Sequence, residues 1–342
     1  FFWAGHALKE AKTKEVKKAP EKQWLAEDTK IPLKTYYTEE DMSDPNIREN
    51  LANPGAYPYM RGIYESLYRD YMWQVRQYTG LGLPEQTNER ARYIVEQGGK
   101  GRGNVAVLNI VHDQPTQNGF DSDAPEAYYD VARVGTAVDC IEDMEVIFQG
   151  LDLERIFYNC PSYSMSNAFW AMYVGIARRR GIPQEKLMGA TINSAFESYL
   201  CGGRSIFPPS HGLRLALDLM EYTSRTSRRF SAITLSANNL RESGAYNYQS
   251  VAWAIAEGIA YCQGMIQRGM DIDSFAPIFS FYCSTERDFF EEIAKYRALR
   301  LIWAQEMKRR FNPSNPRSMA ARITCRTVGS MLTAQQPLIN IV

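Results

Sequence analysis

From about residue 60 the chain alternates short β-rich runs with longer helical ones, and this alternation constrains its fold more than any other feature. The β-rich runs are Asn104–His112, Arg155–Cys160, Leu187–Asn193, Phe230–Ser236, Ala276–Cys283 and Ala320–Thr327. Between them, apolar residues recur at helical spacing in Ile141–Gln149, Ser166–Arg180, Leu213–Arg225, Gln249–Arg268 and Asp288–Arg310. Repeated β-then-α order implies parallel strands joined by right-handed crossovers. The pattern predicts an α/β fold, a TIM-type (β/α)8 barrel with about six of the eight units in this chain. An open doubly wound sheet is the alternative. Its dinucleotide-binding form loses its main support, because no GxGxxG turn follows the first run; Gly101-Arg102-Gly103 precedes it.

The chain divides into an extension, 1–55, and the barrel-like part, 56–342. The extension is charged in its first half and punctuated by prolines in its second, so it buries little of itself and is expected to lie against the barrel or a partner. In a barrel, chemistry belongs at the C-terminal ends of the strands. Those ends carry His112-Asp113-Gln114, Asn159, Asn193-Ser194, Asn238-Asn239, Ser284-Thr285-Glu286 and Cys325-Arg326-Thr327. So many polar groups converging on one rim fit a binding site better than core packing.

Composition excludes several function classes. The chain has 39 basic and 39 acidic residues, so it lacks the basic excess of a broad nucleic-acid surface. Its six cysteines form no CxxC pair and sit among apolar runs, as reduced core thiols of a cytoplasmic protein do. No apolar stretch approaches the roughly 20 residues of a membrane span. No Ser/His/Asp or paired-carboxylate arrangement stands out for a non-radical barrel enzyme.

Seven runs occur together and in order: Pro54-Gly55-Ala56-Tyr57-Pro58-Tyr59-Met60-Arg61-Gly62-Ile63-Tyr64; Trp73-Gln74-Val75-Arg76-Gln77-Tyr78-Thr79-Gly80; Asp113-Gln114-Pro115-Thr116-Gln117; Gly119-Phe120-Asp121-Ser122-Asp123; Ile206-Phe207-Pro208-Pro209; Asp288 to Lys295; and Ser330 to Pro337. From about residue 30 onward the chain thereby resembles the large, barrel-bearing chain of the methylmalonyl-CoA mutase family. The resemblance implies an adenosylcobalamin-dependent acyl-CoA mutase, which rearranges a carbon skeleton by a radical route. It implies a barrel threaded by the pantetheine arm of a CoA thioester, with cobalamin presented over the strand ends. The family's cobalamin-binding DxHxxG motif does not occur here. The lower cobalt ligand and a small cobalamin-binding subunit are therefore expected from a partner, in a heteromer. Two further barrel units are expected after Val342 or from another chain.

Residue by residue, the resemblance implies the following. Tyr78 corresponds to the active-site tyrosine, and Arg76 and Gln117 fall on the cofactor side. Tyr64 and Ser66 match hydroxyl-bearing positions that contact pantetheine, and Glu242 and Asn193 lie on the substrate rim. Asn239 stands where the family has a histidine, and an amide can hydrogen-bond a thioester carbonyl but is no acid near neutral pH. The arginine that pairs with a substrate carboxylate falls near Gly202, with Arg204 as its candidate replacement. Arg326 stands for a glutamine and is a candidate partner for a substrate anion, and His112 stands for a phenylalanine and is a candidate catalytic proton partner. Tyr71 and Ile278 replace two arginines that bind CoA phosphates. Two readings follow: a mutase subunit with altered substrate preference, or a catalytically degenerate partner subunit of such a mutase.

Overall fold

The structure, a computed structural model, describes residues 24–26, 30–70, 72–97, 105–202 and 206–341. Arg204, Tyr71, Asn104 and the Gly101-Arg102-Gly103 run lie outside the described residues, as does most of the charged first half of the extension. The described part of the extension holds a two-residue antiparallel ladder, Trp24–Leu25 with Pro32–Leu33, and a short helix, Pro45–Asn50.

Six parallel strands then follow in chain order among the described residues. They are β1 (Ala106–Asn109), β2 (Ile156–Cys160), β3 (Met188–Thr191), β4 in two pieces (Phe230–Ser231 and Thr234–Ser236), β5 (Ser280–Thr285) and β6 (Arg322–Thr327). The first piece of β4 ends one ladder, β1-β2-β3-β4, and its second piece begins another, β4-β5-β6. The two ladders form one row broken at Ala232-Ile233. Every step in that row is parallel and to the next strand in sequence. The order never reverses, whereas reversal defines a doubly wound sheet.

The row also curls. The segment around Tyr78 runs parallel beside β1, with Tyr78 opposite Asn109 and the Thr79 N–H donating to Asn109 O at 2.9 Å. Gly80 permits this approach, since a Cβ there would sit 1.8 Å from Val111 O. The Tyr78 hydroxyl lies 2.9 Å from that of Tyr282 on β5. A side chain flanking β1 reaches β5 only across the concave side of a curved row. The structure thus has a seventh strand-like position, where the sequence pattern gives six.

Helices cover the outer side. They are α1 (Pro84–Glu96), α2 (Ile141–Ile147), α3 (Ser166–Arg179), α4 (Pro209–Thr226), α5 (Asn247–Gln267) and α6 (Phe289–Phe311). Helix α4 begins four residues before the apolar period does, because Pro209 at its first turn needs no N–H partner. Strand β5 starts later than its apolar run, because Pro277 sits in a 3-10 turn, Ala276–Ile278. Helix α6 is capped by Asp288, which accepts from Glu291 N at 3.1 Å, and ends on Asn312 in the left-handed region. Glu291 and Glu292 in its first turn and Lys308 to Arg310 in its last complement the helix dipole.

Strand parity separates core from interior. On β5, Phe281 and Cys283 are buried and Phe281 meets Trp303 of α6 edge-on at 5.1 Å, while Tyr282 points to the concave side and is half-buried. Trp170 of α3 stacks on Phe230 at 3.7 Å, and Phe148, Tyr158 and Tyr173 form a ring cluster. Each such side chain contributes about 1.5–3 kcal/mol by leaving water. One charged pair is also enclosed. Lys295, bound to Glu292, donates to Ser284 O at 2.6 Å and to Asn247 Oδ1 at 3.1 Å. This ties the end of β5 to α5 and α6.

Candidate functional site

At the C-terminal ends of the strands, polar side chains converge in pairs. Asn159 donates its amide to Asn109 Oδ1 at 2.7 Å, joining β1 and β2 in register. Tyr78 and Tyr282 share a hydroxyl contact, and the Arg326 guanidinium carbon lies 6.0 Å from the Tyr78 ring centre. Burial, then the neighbouring Tyr78, pushes the Tyr282 phenol far above its ordinary range, so it stays neutral and can donate or accept. Asn239 donates its amide to the Tyr163 hydroxyl at 3.0 Å. Tyr163 adopts a left-handed φ of 46°, and its N–H is held by Ile192 O at 2.9 Å.

The loops bearing these groups are tied together. Glu242 accepts from Gly329 N at 2.7 Å, linking the loops after β4 and β6. Arg241 pairs with Glu286, linking those after β4 and β5, with Nη2 to Oε2 at 2.6 Å. Such a partly buried fork restrains both loops.

His112, placed on the rim by sequence, is fully buried. Its ring stacks on Phe169 at 3.7 Å, and Nδ1 contacts Ser162 Oγ at 2.9 Å. Burial drops its pKa to about 3, so the imidazole is neutral in ordinary buffers. Gln117 is also buried, and its amide donates to His112 O. Asn193 is buried, and its carbonyl accepts from the Tyr261 hydroxyl at 3.2 Å. Tyr64 is half-exposed, and Ser66 donates to Asp70.

At the opposite end, the bases of the strands surround a cavity of about 910 Å³. Five arginines line it: Arg76, Arg228, Arg229, Arg317 and Arg322; its acids are Asp271 and Asp273. The formal balance of that lining is therefore 5 − 2 = +3. Asp273 is already engaged by Ser314 N at 2.8 Å, Asn315 N at 3.0 Å and Ser318 Oγ at 2.7 Å. Arg76 sits over the Phe157 ring at 5.2 Å, and burial lowers its pKa. Tyr59 donates to Pro316 O at 2.9 Å, which seats the loop carrying Tyr64 and Ser66 beside Arg317 of this lining.

Of the residues singled out by sequence, Tyr78, Asn239, Glu242 and Arg326 come together at the rim. Arg76 lines the cavity below; His112, Gln117 and Asn193 are enclosed. Sequence reasoning did not find Tyr163, Tyr282 or the arginine-lined base. The signals were present: Tyr282 has opposite parity to Phe281 and Cys283, and Arg228-Arg229 and Arg322 stand at the start of strand runs. Among the described residues no cluster of three or more histidine, cysteine or acidic residues is arranged to hold a metal. No helix among them is long and apolar enough to cross a membrane.

The row is parallel and singly wound, with a hydroxyl-rich rim at the C-terminal strand ends and an arginine-lined base, which is the architecture of a (β/α) class of protein. The methylmalonyl-CoA mutase family model matches residues 26–342, and the chain belongs to that family. The chain is 35% identical over 331 residues to the 2-hydroxyisobutanoyl-CoA mutase large subunit of Aquincola tertiaricarbonis, covering 96% of this chain and 57% of that protein. It is 34% identical over 340 residues to a probable mitochondrial methylmalonyl-CoA mutase of Caenorhabditis elegans, covering 99% and 44%. It is 34% identical over 311 residues to a methylmalonyl-CoA mutase large subunit of Streptomyces virginiae, covering 91% and 41%. The chain thus spans about half the length of the curated relatives it matches.

Proposed function

We propose that this chain is the substrate-binding barrel part of an adenosylcobalamin-dependent acyl-CoA mutase that rearranges a carbon skeleton. The observation that carries this reading is the cavity at the strand bases, whose five arginines suit the phosphates of CoA. Ile278, at one of the two family arginine positions, lines this same cavity as an apolar residue, and the arginines around it take over the phosphates. The pantetheine arm follows the concave side of the strand row upward, past Tyr64 and Ser66 near the mouth. The acyl group ends among Tyr78, Asn239, Tyr282 and Arg326. The row of strands is read as a barrel closed by further polypeptide, with residues 56–342 forming it and 1–55 an arm for contact with the barrel or a partner, a reading that the Gln305 amide of α6 donating to Asn50 Oδ1 at 3.1 Å supports on the barrel side.

Adenosylcobalamin fits the upper face. The loops and helix starts that follow the strands expose Tyr128, Tyr129, Tyr246, Tyr248, Phe289 and Phe290, which favours a covering partner with a broad apolar surface. That partner is read as a small cobalamin-binding subunit, which also brings the lower cobalt ligand, since the family's DxHxxG motif does not occur in this sequence. When bound, the cofactor supplies a carbon radical that abstracts substrate hydrogen. Tyr78, Tyr282 and Asn239 act as neutral hydrogen-bond donors that orient the thioester, and Arg326 holds an anionic or carbonyl oxygen. Gln117, bound to His112 O, sets the loop after β1, and Asn193 and Glu242 set those after β3 and β4. Arg204 is assigned to the acyl group.

The test is reconstitution with a cobalamin-binding small subunit and adenosylcobalamin, with methylmalonyl-CoA and 2-hydroxyisobutanoyl-CoA offered separately. Carbon-13 NMR reads the rearranged product. A complex that takes up cobalamin and acyl-CoA but rearranges neither would favour the degenerate-subunit reading, for which Asn239 in the family's histidine position speaks.

A further inference from the structure

Two glutamates lie buried behind the rim, on elements that share no sequence neighbourhood. Glu197 belongs to the short helix Ala195–Glu197 after β3, and Glu257 to α5; their exposures are 0% and 3%. A buried carboxylate is costly to ionise unless a cation offsets it, and among the described residues no cation acts on Glu257. Glu257 Oε1 accepts from Ser194 Oγ at 2.6 Å, and its Oε2 has no partner. The same Ser194 oxygen accepts from Glu197 N at 3.2 Å. Glu197 Oε1 in turn accepts from Ser236 Oγ at 2.8 Å and from Asn239 N at 3.1 Å. A continuous chain of hydrogen bonds therefore runs from Glu257 through Ser194 and Glu197 to Asn239.

We propose that Glu257 is a neutral carboxylic acid whose ionisation acts through Ser194 and Glu197 to move Asn239, so that Glu257 is a positioning residue for the rim. Burial, and then the nearby charge of Glu197, favours the protonated form and raises its pKa to about 8. The titratable groups acting on Glu257 are Glu197, from the short helix, and Tyr261, one turn along α5. Tyr261 itself bonds Ala195 N at 3.0 Å and Asn193 O at 3.2 Å, so the same loop is gripped from two points on α5. Ionising Glu257 places a second negative charge beside Glu197. The segment between them, Ser194 to Glu197, carries the hydrogen bonds that join the two carboxyls, and Asn239 N follows its acceptor.

The inference uses the proposed function only in taking Asn239 as a substrate-facing group, and its test needs neither substrate nor cofactor. Proton and carbon NMR on protein labelled at Asn and Glu follows the Asn239 side-chain amide and the Glu257 carboxyl carbon against pH. The wild type should show both moving together with a midpoint near 8. Glu257→Gln should abolish the movement of the Asn239 signal. Ser194→Ala should leave Glu257 titrating while Asn239 no longer follows. A Glu257 carboxyl already ionised below neutral pH, an Asn239 signal blind to its titration, or an Asn239 that still follows in S194A would each overturn the proposal.

Discussion

Neutralising Arg322 tests the assignment of the lower cavity most directly. Arg322 is the first residue of β6 and lines the cavity with Arg228, Arg229, Arg317 and Arg76. Replacement by glutamine keeps a donor and most of the length but removes the charge. A hydrogen bond to a charged group contributes about 1.5–3 kcal/mol. At about 1.4 kcal/mol per tenfold, that is a 10- to 150-fold loss of affinity. Arg322 is exposed, so solvent screening places the effect near the lower end, about tenfold. The lining retains a formal balance of 4 − 2 = +2, so binding is weakened and not abolished. Isothermal titration of the intact protein with CoA measures it, with pantetheine as the control that has the arm and lacks the nucleotide phosphates. Arg322→Gln should weaken CoA about tenfold and leave pantetheine unchanged, and the difference should shrink in high salt. Equal losses for both ligands, or a loss insensitive to salt, would refute the assignment of phosphates to this cavity.

Three other outcomes are expected. Lys295→Met leaves Glu292 charged and enclosed, which costs about 3–5 kcal/mol; the urea midpoint should fall sharply and largely recover in the Lys295→Met/Glu292→Met double variant, and equal midpoints for the two would contradict this. His112 has a folded pKa of about 3 against 6.5 in its ordinary state, so the unfolded chain binds the extra proton between those values. Stability should therefore decline as pH drops from 6.5 toward 3, and His112→Phe should remove part of that slope in a pH series of thermal melts. Gly80→Ala would press a methyl group into Val111 O; the expected cost is about 1–3 kcal/mol, and faster hydrogen exchange at the Thr79 amide, which bonds Asn109 O, would locate the damage.

Much of this fold is legible because strand and helix periods are local. The run Arg155–Cys160 and the strand Ile156–Cys160 differ by one residue, and Ser166–Arg180 and its helix differ likewise. Helix α1 is less visible, since its core-facing side is Thr87, Ala91 and Ile94, too weakly apolar to stand out. Tyr78 could be marked from sequence only by resemblance; that it flanks β1 and meets Tyr282, 204 positions further on, depends on the chain between them curling correctly. His112 reads as a rim residue because it closes a β-rich run, yet its ring turns to Phe169 of α3. Nothing within a few residues of His112 announces that turn. The Glu197–Glu257 arrangement is hidden for the same reason: each looks like an ordinary helical glutamate until tertiary packing removes water from both.

On the proposed function, the two ends of the strand row divide the work between affinity and chemistry. The base is cationic and open to solvent, where charge pairs give steering and modest binding energy. The rim is built largely from hydroxyls and amides, with Tyr282 held neutral by burial and Asn239 unable to titrate, while Glu242 is engaged by Gly329 N and Glu286 by Arg241. A rim whose carboxylates are tied up in this way is a poor place for proton-transfer catalysis, which relies on an available group near its pKa. It suits a reaction whose reactive species arrives with a cofactor, where the protein's task is to hold the substrate and exclude competitors. Replacing a histidine by Asn239 then costs less than it would in a hydrolase, because the amide keeps a donor and Tyr163 fixes its direction at 3.0 Å. By this logic the departures from the family pattern alter which acyl group is held more than whether one is held, and Arg326 beside Tyr78 is where that preference should be read.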